Sequence, residues 1–412
     1  MAFASPHSLC IILLFLLPVC VLAQTSQNIS LNSSLTAALD KNDSWKSPSG
    51  DFAFGFQQIE AGMFLLAIWF DKIPEKTIVW SPKGGNLVQQ GSTIQLTTDG
   101  QFRLNDSQGK QVWSANLAGS GIVSYAAMLD TGNFVLASQD SSNLWESFDE
   151  PTDTILPTQI LDVRSSSLVA RYSETNYSNG RFRMRLDSNG NLVLSTVHFP
   201  QTSPNRDYWS ANNNGGGFQV TFNLSGYIYL EAENGSILSS ITSFKASTSN
   251  FYQRAILEYD GVFRLYVYPR NNSATDGKPM AWSTLSFVPE NICNSLIDQQ
   301  QVEVSGFCGR NSYCIQGDDK RPKCDCPPGY IYSDPENKMN GCKRDFVSQE
   351  CNGDQDADHF DMRLMMSVNW WGGDYERHNN VSESWCTQEK KDHSAIRRNP
   401  RRKFTKPHLQ GT

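Results

Sequence analysis

After its first two dozen residues the chain has no long apolar run. The longest, Met63 to Phe70, is far short of the ~20 residues a membrane-crossing helix requires. Helical periodicity is almost missing, which argues against α/β and all-α architectures. No cysteine occurs from Gln24 to Asn291. Histidine is scarce: the six residues His7, His198, His359, His378, His393 and His408 show no metal-binding spacing. No G-x-S-x-G elbow is present, so a hydrolase of that kind is excluded. Carboxylates are plentiful, but a glycosidase needs two of them about 5–9 Å apart. Pairs such as Asp149-Glu150 are sequence neighbours that a strand points to opposite faces, and "FDEPTD" reads as a proline-set turn. The formal net charge of −7 argues against a nucleic-acid partner. Catalysis and a metal or other cofactor are therefore not expected.

At the N-terminus, Leu9 to Leu22 is nearly all apolar and Val21-Leu22-Ala23 offers a signal-peptidase site, so residues 1–23 read as a signal peptide cut after Ala23. Met1 to His7 carries no Lys or Arg; a retained anchor is the alternative, but the run is short for a span. Cys10 and Cys20 leave with the signal. Cys293, Cys308, Cys314, Cys324, Cys326, Cys342, Cys351 and Cys386 then crowd the far end, the mark of a disulfide framework made in an oxidising compartment. N-x-S/T acceptors at Asn28, Asn32, Asn42, Asn105, Asn176, Asn223, Asn234, Asn271 and Asn380 fit an extracellular, glycosylated surface. The last segment, residues 389–412, is basic and poor in apolar residues; it reads as a disordered tail, with polyanion binding as the alternative.

Between these ends one plan recurs. "TTDGQFRLN" from Thr97, "MLDTGNFVLAS" from Met128, "LDSNGNLVLST" from Leu186, "AENGSILSS" from Ala232 and "LEYDGVFRLYV" from Leu257 each set an acidic or Asn turn with Gly before an alternating strand. The units fall into two tandem β-domains, residues 24–150 and 151–287. Trp69, Phe70, Trp80, Trp113 and Trp145 are expected in the first core, and Trp209, Tyr227, Tyr229, Tyr266 and Tyr268 in the second.

The plan resembles the bulb-type mannose-lectin domain, a β-prism of short hairpins. "LWESFDEPTDTILPTQIL" (Leu144 to Leu161) resembles the signature of plant S-locus glycoproteins and G-type lectin receptor-like kinases. The C-x5-C from Cys308 and the C-x-C-x-x-G-Y from Cys324 resemble that family's EGF-like module, residues 288–343. "NWWGGDYE" (Asn369 to Glu376) resembles part of a PAN module, residues 344–388. The family's pairing, carried over, joins Cys293 to Cys314, Cys308 to Cys324 and Cys326 to Cys342. Such a unit is too small to hold itself by burial, and each closed loop adds ~3 kcal/mol. Glu290-Asn291-Ile292 offers too few ligands for a calcium-binding variant. Cys351 and Cys386 are left to pair with each other or with another chain. The family continues to a membrane span and a kinase; here no Gly-rich nucleotide loop, Val-Ala-Ile-Lys-like stretch or His-Arg-Asp loop occurs.

Mannose-binding members carry Q-x-D-x-N-x-V-x-Y, whose two-residue period places five side chains on one strand face. In "MLDTGNFVLAS", Asp130 and Asn133 are three apart; aligning on Asn133 and Val135 puts Leu129, Thr131 and Ala137 where Gln, Asp and Tyr belong. This copy reads as a hairpin. The Thr97 copy has Arg103 at the apolar position. The best sugar-reading set is Asp187, Asn189, Asn191 and Val193, expected on one face, with a purely structural role as the alternative. The resemblance implies a secreted binding protein for an extracellular glycan or protein ligand, in pollen recognition or defence. The alternative is an interaction or decoy partner of a receptor kinase, or of a second copy of itself, with no carbohydrate bound.

Overall fold

The recurring Gly-containing segments form hairpins of a single kind. The computed structural model describes residues 28–39, 43–117, 119, 121–162, 167–197, 204–211, 214–242, 246–271, 279–293, 307–345 and 369–370. At Thr97, Asp106, Leu129, Asp187, Asn223, Ala232 and Glu258 the backbone N–H donates to the carbonyl four residues on. The N–H three residues on donates back to the first residue's carbonyl. That third residue is left-handed, with φ of 79° at Gly100, 87° at Gly132 and 79° at Gly190, where a glycine avoids the Cβ clash. The result is a three-residue loop whose twist suits antiparallel partners. Where the first residue is Asp106, Asp187 or Asn223, its side-chain oxygen also accepts the N–H groups two and four residues on.

These hairpins build two prisms, each with three antiparallel sheets around one core. In the first prism, Ser34–Thr36, Thr93–Leu96, Phe102–Asn105 and Gln111–Ser114 form one sheet; Ile29–Ser30, Tyr125–Met128, Phe134–Ala137 and Asn143–Glu146 form another. The third joins Ser44–Lys46, Phe52–Glu60, Met63–Phe70 and Ile78–Trp80, with Val88–Gln89 beside Met63–Phe70. Trp45, Phe54, Phe102 and Phe134 meet at its centre, with the Phe54 and Phe134 rings 4.2 Å apart. Full burial of side chains of this size stabilises by about 1.5–3 kcal/mol each.

The second prism repeats the design. Its sheets are Ile160–Asp162 with Gln219–Phe222, Ile228–Glu231 and Ile237–Ser240; Leu168–Arg171 with Asn179–Leu186, Leu192–Val197 and Pro204–Ser210; and Thr154–Ile155 with Phe251–Leu257, Phe263–Pro269 and Ser283–Val288. The last sheet has two jobs. Ala255, Leu257, Phe263 and Leu265 point into the second core, whereas Tyr252, Tyr268 and Trp282 pack into the first. Tyr268 therefore belongs to the first core rather than the second, because alternation turns it toward the neighbouring prism. For the same reason Tyr227 and Tyr229 are half-buried outside their sheet, while Ile228 and Leu230 take the inward positions.

Polar groups lock this junction. Asp51 of the first prism accepts from the Tyr252 hydroxyl at 3.1 Å and pairs with Arg270 at 2.7 Å and Lys72 at 2.8 Å. Trp282 donates its indole N–H to Thr77 at 2.8 Å, and its ring meets Phe70 at 5.4 Å. Elsewhere along the junction the backbones themselves touch: a Cβ on Gly85 would stand 2.2 Å from the Tyr177 carbonyl oxygen.

The cysteine-rich module is closed by Cys293–Cys314, Cys308–Cys324 and Cys326–Cys342, the pairs implied by the resemblance. Bridges alone do not hold it. Phe307, Cys308, Cys314 and Met339 join the second prism's core, and the Phe307 ring stacks on Phe182 at 5.2 Å. Arg181, almost wholly buried, donates to the Phe307 carbonyl at 3.3 Å and the Met339 carbonyl at 2.6 Å. Burial without a carboxylate partner pulls its guanidinium down to about 10. Arg321 of the module reaches Glu258 and Asp260 of the prism at 3.1 and 3.3 Å. The short strand Asn369–Trp370 pairs with Tyr313 and Cys314. The signal segment, Asn42, Asn380, Cys351, Cys386, the rest of the PAN-like stretch and the basic tail lie outside the described residues.

Candidate saccharide surface and the domain junction

The hairpin at Met128 to Ser138 uses its polar residues internally. Asp130 Oδ1 accepts from the Ser49 backbone N–H at 2.8 Å and its hydroxyl at 2.6 Å, tying two turns together. Asn133 is buried. Its amide nitrogen donates to Glu146 at 2.6 Å, and its Oδ1 accepts from the Ser147 hydroxyl at 3.1 Å and the Phe148 N–H at 3.2 Å. These bonds pin the first prism's last hairpin and the chain that leaves it.

The Asp187 set is arranged differently from the strand face expected of it. Asp187, Asn189 and Asn191 lie in the turn between Asn179–Leu186 and Leu192–Val197, so strand parity does not govern them. Asp187 Oδ1 accepts from the N–H groups of Asn189 at 2.9 Å and Asn191 at 2.8 Å. Asn189 is exposed, Val193 is buried, and Asn191 Oδ1 is buried with no hydrogen-bond partner among the described residues. The turn engages the Asp187 carboxylate and leaves the Asn189 side chain exposed, in place of the single strand face expected. In the Thr97 copy the Thr97 hydroxyl is likewise bound to its own turn, through Gln101 at 2.9 and 3.0 Å.

A more open polar and aromatic face lies on the sheet of Gln219–Phe222 and Ile228–Glu231. There Tyr227 and Tyr229, 6.4 Å apart, flank a row in which Gln219 bonds Glu231, with Ile160 and Ile237 exposed beside it. The acceptor asparagines Asn28, Asn32, Asn176, Asn234 and Asn271 are exposed, while Asn105 and Asn223 are half-buried. A cleft between the two prisms, bordered by residues around Lys83 and Arg171, has no counterpart in the sequence reading. Its sides come from segments about ninety residues apart, and no local pattern announces that they meet.

A family model described as D-mannose binding lectin matches residues 77–175. A G-type lectin S-receptor-like serine/threonine-protein kinase, LECRK3 of Oryza sativa subsp. indica, is 40% identical over 378 residues, covering 88% of this chain and 46% of its own. The chain belongs with the ectodomains of the G-type lectin S-receptor-like kinases. A second relative, RLK1 of Arabidopsis thaliana, is 35% identical over 392 residues, 89% of this chain and 45% of its own. The chain thus spans about half the length of the curated relatives it matches. Among solved structures, the fetuin-binding, two-domain Scilla campanulata agglutinin is 18% identical, with a TM-score of 0.23, covering 63% of this chain and 97% of that one. The chain is mainly β, and no helix among its described residues is long and apolar enough to cross a membrane.

Proposed function

We propose that this G-type lectin chain works outside the cell as a secreted, glycosylated recognition protein that holds an extracellular saccharide or protein ligand without converting it. The carrying observation is its 40% identity to a lectin receptor kinase over 88% of its length. The architecture supports the reading. Two prisms and a bridged module are interlocked by shared cores, leaving sheet faces and a junction to contact partners, which suits binding by a preformed surface. Recognition in defence or between pollen and stigma is the biological setting proposed for it.

A glycan array probed with the purified chain tests this. Signal on a defined saccharide class, lost on thermal unfolding, is the expected result; a blank array sinks the saccharide part. A second reading, contact with a receptor kinase or another copy of the chain, is favoured by Ile160, Ile237 and Leu238, all exposed on one sheet. Light scattering would then report a dimer that Ile237→Lys dissociates.

A further inference from the structure

The cleft between the prisms is distinct from the turn copies discussed above, and charged and hydroxyl-bearing side chains stand among its apolar walls. Lys83 from the first prism and Thr152, Asp153, Arg171, Tyr177 and Asn179 from the second prism and its leading segment line it. Arg171 commits only its Nε, to Asp153 at 2.8 Å, while its guanidinium lies 4.5 Å from the Tyr177 ring centre. Its two Nη groups make no hydrogen bond among the described residues. Lys83 has no ion pair there either. Its side chain is exposed at the edge of the cleft, where the desolvation it meets from the protein pulls its ammonium below the usual lysine value, against the opposing pull of Glu150.

Carboxylates close enough to influence these cations are already engaged. Asp153 serves Arg171 and the Thr154 hydroxyl. Glu150 accepts from the Trp145 indole at 3.1 Å, and Glu258 is bonded to Arg264, Tyr266 and Arg321. Behind Arg171 stands a third cation, Arg254, stacked against Tyr266 at 5.2 Å and Trp282 at 4.9 Å; its buried Nε has no partner among the described residues. A site with spare guanidinium and ammonium donors, desolvated walls and committed acids favours an anion. The cleft holds about 50 Å³, room for a carboxylate group but not for a sugar ring. Around its mouth, Thr152 and Asn179 provide groups that bond hydroxyls.

We infer that this junction is an acidic-sugar site, in which the carboxylate of a uronic-acid residue sits between Lys83 Nζ and the Nη groups of Arg171 while its ring rests at the mouth. This deepens the saccharide reading above and rests on it. The neutral surroundings of mannose-type recognition would not require these cations, so the two can fail separately.

Calorimetric titration of the full chain with trigalacturonate and with mannotriose tests the site. Trigalacturonate is expected to bind, with affinity falling as sodium chloride is raised. Lys83→Gln should weaken it about tenfold, the loss of one charge-assisted hydrogen bond, and Lys83→Glu should abolish it. Arg171→Lys keeps the charge beside Asp153 and removes the forked donors, so it should weaken binding in a chain that still folds. No heat with trigalacturonate, or an affinity unmoved by both Lys83 variants, overturns the inference. If mannotriose binds while trigalacturonate does not, the inference falls and the saccharide reading stands; if neither binds, the inference falls, and the saccharide reading falls with it only when the glycan array is blank as well.

Discussion

Replacing Phe307 with alanine would show whether the bridged module and the second prism are one cooperative unit. The Phe307 side chain is 1% exposed and stacks 5.2 Å from Phe182, inside a core that also contains Leu194, Phe222 and Phe263. Removing it forfeits a transfer contribution of about 2–3 kcal/mol. It also leaves a void of roughly 80–100 Å³ that costs about 2 kcal/mol more at about 24 cal/mol per Å³. The sum, about 4 kcal/mol, corresponds to roughly a thousandfold change in the folded-to-unfolded ratio. Because the three bridges stay closed, the module cannot drift far, and the loss should be felt by the strands Asn179–Leu186 and Leu192–Val197 around Phe182. Hydrogen exchange read by mass spectrometry is the suitable assay. Protection in residues 179–197 should fall together with that in 307–345, while residues 52–70 of the first prism keep theirs. If exchange rises only in the module and residues 179–197 are unchanged, the shared core is not an energetic unit and the reasoning fails.

Two further outcomes follow from the same contacts. Asn133→Ala should cost about 2–4 kcal/mol, because it strips bonds from Glu146, buried Ser147 and the Phe148 N–H. Chemical denaturation should register this loss; a stability within 0.5 kcal/mol of the parent would contradict the pinning role. Acid should loosen the prism junction through Asp51. Burial pushes its carboxyl up, but Lys72, Arg270 and Tyr252 outweigh this and hold it below its ordinary value of 3.8. A depressed carboxyl pKa means its stabilisation is complete above the unfolded value and is lost as pH falls through the folded one. Trp282 fluorescence should therefore change below about pH 4, and Asp51→Asn should flatten that part of the titration. An identical acid transition in the variant would remove Asp51 from the account.

Much of the fold was legible because it is written locally. A turn such as Leu186 to Gly190 carries its own instructions: an Asp whose oxygen caps the loop, a Gly free to take positive φ, and an alternating strand that follows. Repetition of that unit made a mainly β, hairpin-built chain readable without coordinates, and the family resemblance implied the pairing of the six middle sulfurs that the structure shows. The same locality hid where the Asp187 set would lie. Parity arguments assume an unbroken strand, whereas Asp187, Asn189 and Asn191 occupy a loop that turns the chain, where the Asp187 carboxylate accepts two backbone N–H groups of its own turn.

Contacts between distant segments were settled only by tertiary packing. That Tyr268 serves the first core, that Phe307 completes the second, and that Lys83 and Arg171 border one cleft depends on how whole sheets rest against each other. The residues alone determined hairpins and strand alternation, since each is encoded within a few positions, whereas the bridging partners came from the resemblance to a family. Which face of a sheet meets a neighbour, and which charges are left without one, is decided by burial summed over many side chains from separate units. That sum exists only once the chain has folded.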